Sequence, residues 1–298
     1  MTDRNLRTPE DRFDHLPNFP YGPHFIEDLP GYEGMRMHYL DEGPHESGVT
    51  FLCLHGEPTW AYLYRKMIPI FCAAGHRVIC PDFFGFGRSD KPAEDRRYTY
   101  TFHRHSLMRL VERMQLRRIC LVVQDWGGVL GLTLPMEYPD RIDRLIVMNT
   151  VLPAGSSPGA GFDEWKAYVA ANPGLNLARM MRRAVPFLTE AEAAAYAAPF
   201  PDSSYMAGVR RFPELVMVEP DMDGVEVSTS ALRYLASEWG GKSFMAIGIR
   251  DPVLGKSVMD RLHPMIRGCP EPLEMPQAGH FVQEWGDQVA RRALEVLF

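Results

Sequence analysis

The stretch that decides the fold is Ile119-Cys-Leu-Val-Val-Gln-Asp-Trp-Gly-Gly-Val-Leu130. Its first five residues are apolar, which predicts a buried strand, and an apolar helical pattern follows the two glycines. Asp125 therefore stands on a tight turn between strand and helix, where a strained backbone lifts one side chain above the carboxyl edge of a sheet. Gly127 and Gly128 supply the small residues that this turn needs, because strand and helix approach closely there. The stretch thus places a carboxylate, and not a serine or cysteine, in the position of a nucleophile.

Apolar runs of strand length recur along the chain and alternate with helical patterns. Several of them are continuously apolar, as in strands that are covered on both faces. Residues 101–114 carry their apolar side chains on one stripe, which predicts an amphipathic helix. The alternation predicts an α/β protein with a mostly parallel, doubly wound sheet. The predicted strands are Arg36–Leu40, Val49–Leu54, Arg77–Cys80, Ile119–Val123, Leu145–Met148, Phe244–Ile249 and Pro272–Met275.

This alternation stops between about Leu152 and Met222, where the sequence shows no strand pattern. The region begins with a Pro/Gly/Ser-rich segment, 153–161, and continues as short helical patterns separated by prolines. Thr189-Glu-Ala-Glu192 predicts a capping box at the start of an alanine-rich helix. We therefore expect an all-helical cap, residues 153–222, inserted into an α/β core that consists of residues 1–152 and 223–298.

Composition excludes several classes of protein. The 298 residues carry a net charge of −6, so nothing suggests a nucleic-acid partner, and the doublets Arg182–Arg183 and Arg210–Arg211 are interpreted as solvated surface. The longest uncharged stretch, 145–162, is interrupted by prolines and glycines and cannot form a membrane helix. The first residues lack the apolar run of a signal peptide. Five cysteines without CxxC spacing predict free thiols and a cytoplasmic location.

Two further motifs supply the partners of Asp125. Leu54-His-Gly-Glu-Pro-Thr-Trp60 directly follows a strand; alone it reads as a turn, but beside a nucleophile it is where an oxyanion-binding backbone N–H is found. Glu57 and Trp126 are therefore the expected oxyanion donors. The strand from Phe244 leads to Asp251, and His280 lies in Gly-His-Phe before the last helix. This chain order predicts a triad of nucleophile Asp125, acid Asp251 and base His280.

A carboxylate nucleophile restricts the chemistry. It displaces a good leaving group from an sp³ carbon and forms an alkyl ester, which water then hydrolyses with His280 as the base. This scheme needs no metal and no cofactor. A departing halide needs only hydrogen-bond donors, and the indole of Trp126, beside the nucleophile, is a donor without an acceptor. Trp165, in the cap, is a second candidate donor, although burial for packing explains its position equally well. Phe162 is expected to line the substrate pocket.

At this point the chain resembles a known family, the haloalkane dehalogenases, in the subgroup with an Asp–His–Asp triad and two halide-binding tryptophans. The resemblance runs from Arg7-Thr-Pro-Glu-Asp-Arg-Phe13 to the final helix and includes 55–60, 81–92, 122–128 and 279–283. It implies an α/β-hydrolase fold and the same roles for Asp125, His280 and Asp251. It also implies halide binding by Trp126 and Trp165, with Glu57 in the oxyanion loop. The implied partners are a small haloalkane, water and halide, and a monomer is the default state.

Other interpretations remain. An epoxide hydrolase shares the elbow, the histidine and the cap, and the cap contains tyrosines that could protonate an epoxide oxygen (Tyr168, Tyr196 and Tyr205). Against it, Gln124 stands where that family usually has histidine. A binding protein on a degenerate hydrolase scaffold is the alternative without catalysis, but such proteins usually lose a triad member. Asp82 and Asp90 are rival carboxylates, and Asp82 is predicted to stabilise its loop.

Overall fold

The computed structural model describes residues 4–46 and 48–298. Within them it contains ten strands: β1 Asn5–Leu6, β2 His24–Ile26, β3 Met37–Glu42, β4 Thr50–Leu54, β5 Arg77–Pro81, β6 Lys91–Pro92, β7 Ile119–Gln124, β8 Ile142–Met148, β9 Lys242–Gly248 and β10 Leu273–Met275. The same residues form eleven α-helices: α1 Ile68–Ala73, α2 Tyr100–Arg113, α3 Trp126–Gly131, α4 Leu134–Glu137, α5 Ala160–Ala171, α6 Leu177–Ala184, α7 Glu190–Ala197, α8 Ala207–Leu215, α9 Val225–Ser237, α10 Lys256–Leu262 and α11 Gly286–Leu297.

Eight strands form one sheet in the order β10-β9-β8-β7-β4-β5-β3-β2. All neighbours from β10 to β5 pair in parallel, whereas β3 and β2 run antiparallel at one edge. Strands β1 and β6 form a separate antiparallel pair. The predicted α/β class with a mostly parallel sheet is confirmed. Because the central strands are parallel, their carboxyl ends meet at one edge, where β4, β7, β8 and β9 deliver the loops of the candidate site.

Alternate residues of the central strands pack into two different hydrophobic cores. On β7, Leu121 and Val123 join the core that includes α2, whereas Cys120 and Val122 join the core that includes α11. Helices therefore cover both faces of the sheet. This is why these strands are continuously apolar, and it confirms the doubly wound arrangement predicted from the sequence.

Strand bounds differ from the prediction where pairing, and not hydrophobicity, decides them. β8 begins at Ile142 and includes Asp143 and Arg144, because residues 142 and 144 pair with β7. β9 begins at Lys242, which pairs with Arg144, and ends at Gly248, one residue before the predicted end. The strands β1, β2 and β6 were not predicted, since two or three residues carry no recognisable alternation.

Residues 153–222, all of them described, contain helices and no strand, and their assignment as a cap domain stays a prediction. The capping box is confirmed: Thr189 accepts a hydrogen bond from the Glu192 backbone, and the Glu192 carboxylate accepts one from the Thr189 backbone. The cap helix α7 is attached to the core through Trp60, whose indole N–H donates to the Ala195 carbonyl at 3.1 Å. In the described part of the chain, no helix is both long and apolar enough to cross a membrane. All five cysteines are free thiols, as predicted.

Candidate active site

Asp125 stands at the junction of β7 and α3 with φ of 50° and ψ of −125°, a backbone conformation that non-glycine residues rarely adopt. The surrounding glycines explain why the chain can turn here. A Cβ on Gly127 would lie 2.0 Å from the Leu54 carbonyl oxygen, and one on Gly128 would lie 2.0 Å from Thr150 Oγ1. The predicted tight turn is therefore present, and it depends on both glycines.

The backbone N–H groups of Glu57 and Trp126 hold the carboxyl group of Asp125. The Glu57 N–H donates to Asp125 Oδ1 at 2.8 Å, and the Trp126 N–H also donates to this carboxyl group. Gly56 permits the approach, because a Cβ there would lie 2.4 Å from the Asp125 Cβ. The two expected oxyanion donors thus meet at the same carboxyl group.

The structure also brings the other two triad residues together. His280 Nδ1 lies 2.8 Å from Asp251 Oδ2, and His280 Nε2 lies 3.7 Å from Asp125 Oδ2. The Asp251 side chain is buried and accepts the Val253 N–H on its other oxygen at 2.8 Å. One ring nitrogen of His280 therefore faces the expected acid, Asp251, and the other faces the expected nucleophile, Asp125.

The charges of the three groups depend on one another. Burial lowers the pKa of His280, but the carboxylates of Asp251 and Asp125 outweigh this effect and raise the pKa to about 9. Burial raises the pKa of Asp251, but the charge of His280 and the hydrogen bonds that this carboxylate accepts lower it further than burial raises it. For Asp125 burial prevails, and its pKa is raised. The resting site therefore favours an imidazolium between two carboxyl groups.

Two residues that the sequence interpretation did not assign to the site contact the triad. Asn149, at the end of β8, donates from Nδ2 to Asp251 Oδ2 at 2.8 Å and accepts the Gly248 N–H at 2.8 Å. Gln124 Nε2 lies 2.9 Å from His280 Nε2 and donates to the His280 carbonyl at 3.2 Å. The place of Asn149 at a strand end beside the nucleophile strand was the available indication of a supporting role.

A cavity of about 1090 Å³ opens above Asp125 and His280. Trp126, Trp165 and Phe162 all line it, so the two indoles face the same space. Trp126 is held against Phe212 of α8, with ring centroids 4.5 Å apart. Helix α5, which carries the two cap residues, approaches the loop after Asp251 so closely that a Cβ on Gly161 would lie 1.8 Å from the Pro252 carbonyl oxygen.

Glu57 also brings its side chain to the site. The carboxyl group is buried beside Asp125, and burial together with the Asp125 charge raises its pKa well above the usual value. The indole of Trp165 acts on this carboxyl group in the opposite direction and lowers its pKa in part. The expected second halide donor therefore has the Glu57 carboxyl group as a competing acceptor nearby.

The rival carboxylates have structural roles. Asp82 is fully buried and accepts the N–H groups of Ala61 at 2.7 Å and Arg88 at 2.8 Å, so it stabilises its loop as predicted. Asp90 binds the guanidinium of Arg7 at 2.8 and 3.0 Å. Across residues 4–46 and 48–298, no three His, Cys, Asp or Glu side chains are grouped so that they could hold a metal ion.

The cap tyrosines occupy different environments. Tyr168 lines the cavity, and its ring centroid is 5.9 Å from that of Trp165. Tyr196 is buried and donates its hydroxyl hydrogen to Glu284, which also binds Arg65. Tyr196 is therefore engaged in a buried ion cluster, and Tyr168 is the cap tyrosine that faces the reaction space.

Comparison with known proteins agrees with this geometry. Residues 49–287 match the family described as alpha/beta hydrolase fold. A haloalkane dehalogenase of Psychrobacter cryohalolentis is 42% identical over 98% of this chain and 97% of its own length. Haloalkane dehalogenase 1 of Mycobacterium tuberculosis is 43% identical over 97% of both chains. The solved structure of haloalkane dehalogenase DpaA from Paraglaciecola agarilytica, described as tetrameric, superimposes with a TM-score of 0.96 at 51% identity, covering 98% of each chain.

Proposed function

Because the chain belongs to the haloalkane dehalogenases, hydrolases that act on carbon–halogen bonds, we propose that it removes halide from small haloalkanes through an alkyl ester on Asp125. The observation that supports this mechanism best is the asymmetry of the Asp125 carboxyl group. Oδ1 accepts the Glu57 N–H at 2.8 Å, Oδ2 lies 3.7 Å from His280 Nε2, and the carboxyl group lines the cavity. One oxygen is thus free to attack and the other is already bound by one of the donors that an oxyanion needs.

In the first step, an Asp125 oxygen attacks the sp³ carbon and forms a C–O bond, while the carbon–halogen bond breaks and its electron pair leaves with the halide. The indole N–H groups of Trp126 and Trp165 receive the anion, since both line the cavity. A hydrogen bond to a charged group contributes about 1.5–3 kcal/mol, which corresponds to about one to two decades in rate when it forms in the transition state. Phe162 lines the apolar space that the alkyl chain occupies.

In the second step, His280 takes a proton from water, and the hydroxide attacks the carbonyl carbon of the ester. The oxyanion of the tetrahedral intermediate is stabilised by the N–H groups of Glu57 and Trp126. The ester C–O bond then breaks, the alcohol leaves with a proton from His280, and the regenerated carboxyl group releases its proton to solvent. Overall, haloalkane and water give alcohol, halide and a proton.

The charge arrangement makes His280 a base at the right moment. In the resting site two carboxylates raise its pKa to about 9. Esterification removes the charge of Asp125, and with it one of the two anions that stabilise the imidazolium. The pKa of His280 therefore falls in the alkyl-enzyme, so the neutral imidazole becomes available when water must be activated.

The variant His280→Gln tests this mechanism. Incubated with a bromoalkane, it should accumulate an adduct heavier than the free protein by one alkyl group less one hydrogen, located on the peptide that contains Asp125. An Asp125→Asn variant, prepared and measured without ageing, is the control and should carry no adduct. Absence of the ester from His280→Gln, while the unmodified enzyme releases bromide, would refute an Asp125 nucleophile. Diol formation from epoxides without bromide release from bromoalkanes would support the epoxide hydrolase alternative instead.

The oligomeric state needs its own measurement. The monomer expected from the sequence is retained as a proposal, while the similar DpaA structure is described as tetrameric. Light scattering on the purified chain, at the concentration used for activity assays, distinguishes the two states.

A further inference from the structure

The cavity above Asp125 is apolar at its floor and carries charged residues at its mouth. Its floor is formed by buried apolar residues around the reacting carboxyl group, including Val129, Phe162 and Leu254. The lining residues that are exposed to solvent mark its mouth, and three of them are arginines: Arg179, Arg183 and Arg250. A volume of about 1090 Å³ is at the upper end of the roughly 300–1,000 Å³ typical of drug-sized ligand pockets. A short haloalkane would fill only the floor.

The three guanidinium groups have no partner in the part of the chain that the structure describes. None of them takes part in an ion pair or a side-chain hydrogen bond within residues 4–46 and 48–298. Arg182, between them in sequence, behaves differently: it pairs with Glu190 at 3.1 Å and does not line this cavity. Arg179 and Arg183 are four residues apart on α6, so their side chains share one helix face. Arg250 lies outside α6, two residues after the end of β9. Both arginines of the doublet are exposed, in agreement with their interpretation as solvated surface, and Arg183 in addition lines the cavity.

We propose that the substrate class of this enzyme includes haloalkanes with an anionic group at the far end, such as ω-haloalkanoates. This inference rests on the proposed dehalogenase function. The guanidinium groups at the mouth bind the carboxylate head, because their paired N–H groups match its two oxygens, and the apolar floor takes the haloalkyl end. The charge of Asp125 at the floor repels the head group. The bound molecule is therefore oriented with its carbon–halogen bond at Asp125.

The experiment compares two substrates of equal chain length, an ω-bromoalkanoate and the corresponding ω-bromoalkanol, by bromide release over a series of chain lengths. The measured quantity is the ratio of kcat/KM for the carboxylate to that for the alcohol. Two solvent-exposed charge pairs increase this ratio by about three- to tenfold at low salt. Raising the ionic strength lowers the ratio toward one, because salt screens charges at an exposed mouth.

The matched variants are Arg179→Gln with Arg183→Gln, and Arg182→Gln as the control on the same helix. The double variant, in which only Arg250 remains at the mouth, should reduce the preference for the carboxylate, and the control should retain it in full. A ratio near or below one in the unmodified enzyme at every chain length overturns the proposal, as does a preference that is unchanged in the double variant. If the arginines only attract released halide, added bromide inhibits turnover of the two substrates equally and the ratio stays near one. That result also overturns the proposal. Lack of bromide release from both substrates refutes the dehalogenase function itself, and the inference fails with it.

Discussion

The charge of His280 links the catalytic site to the stability of the fold. Its pKa is raised from 6.5 to about 9 by Asp251 and Asp125, despite burial. A group whose pKa is higher in the folded state stabilises the protein fully below its unfolded pKa and loses this contribution as the pH rises through the folded pKa. At about 1.36 kcal/mol for each pH unit between the two values, the loss amounts to about 3 kcal/mol. We therefore expect the folded state to lose this amount between neutral and alkaline pH.

The assay is equilibrium unfolding in urea at a series of pH values, for the unmodified protein and for His280→Gln. Other groups titrate in the same range, including Lys91, whose pKa burial lowers to about 7. Their contributions to the free energy of unfolding are the same in both proteins and cancel when one free energy is subtracted from the other. The free energy of unfolding of the unmodified protein, minus that of the variant, should fall by about 3 kcal/mol between about pH 6 and about pH 10. A difference that stays constant over this range, or increases, would refute the idea of an imidazolium held between two carboxylates.

Three further predictions address the supports of the site. Gly128→Ala should lower Tm and reduce the free energy of unfolding by about 1–3 kcal/mol, because its Cβ would collide with Thr150 at 2.0 Å; an unchanged Tm would show that the turn can relax. Trp165→Phe should weaken the quenching of tryptophan fluorescence by bromide, since one of two indole donors is lost, and full quenching would place the second donor elsewhere. Asn149→Leu should lower kcat by about one to two decades and raise the pKa of Asp251, because the carboxylate loses a donor at 2.8 Å; an unaltered pH profile of kcat would contradict this.

The fold and the proximity of Asp125, Asp251 and His280 could be predicted because each rests on a local pattern. The apolar run before Asp125 and the glycines after it define strand, turn and helix within a few residues. Asp251 and His280 each follow a strand of the same sheet, and parallel strands bring their carboxyl ends together. The chain order then suffices to place three distant residues in one site.

The missed features depend on contacts between segments that are distant in sequence. Asn149 contacts Gly248 at the end of β9, and Gln124 contacts His280 in the loop before the last helix. Neither contact can be recognised from the residues that neighbour Asn149 or Gln124 in sequence. The burial of the Glu57 carboxyl group follows from the packing of the cap and of Asp125 against it. Likewise, Arg183 lines the cavity whereas its neighbour Arg182 pairs with Glu190, and this difference exists only once helix α6 has formed.

The raised pKa of the Glu57 carboxyl group agrees with the charge balance of the proposed reaction. Displacement begins with one negative charge on Asp125 and ends with one on the halide, so the cavity must stabilise a single anion that moves a few ångströms. An ionised Glu57 would place a second anion beside both positions, and it would hold the Trp165 N–H in a charge-assisted hydrogen bond that halide would have to break. A protonated Glu57 removes the repulsion and leaves only a neutral hydrogen bond to exchange. In the proposed mechanism, the raised pKa of this carboxyl group therefore favours an arrangement in which its backbone N–H serves the oxyanion while the Trp165 indole serves the halide.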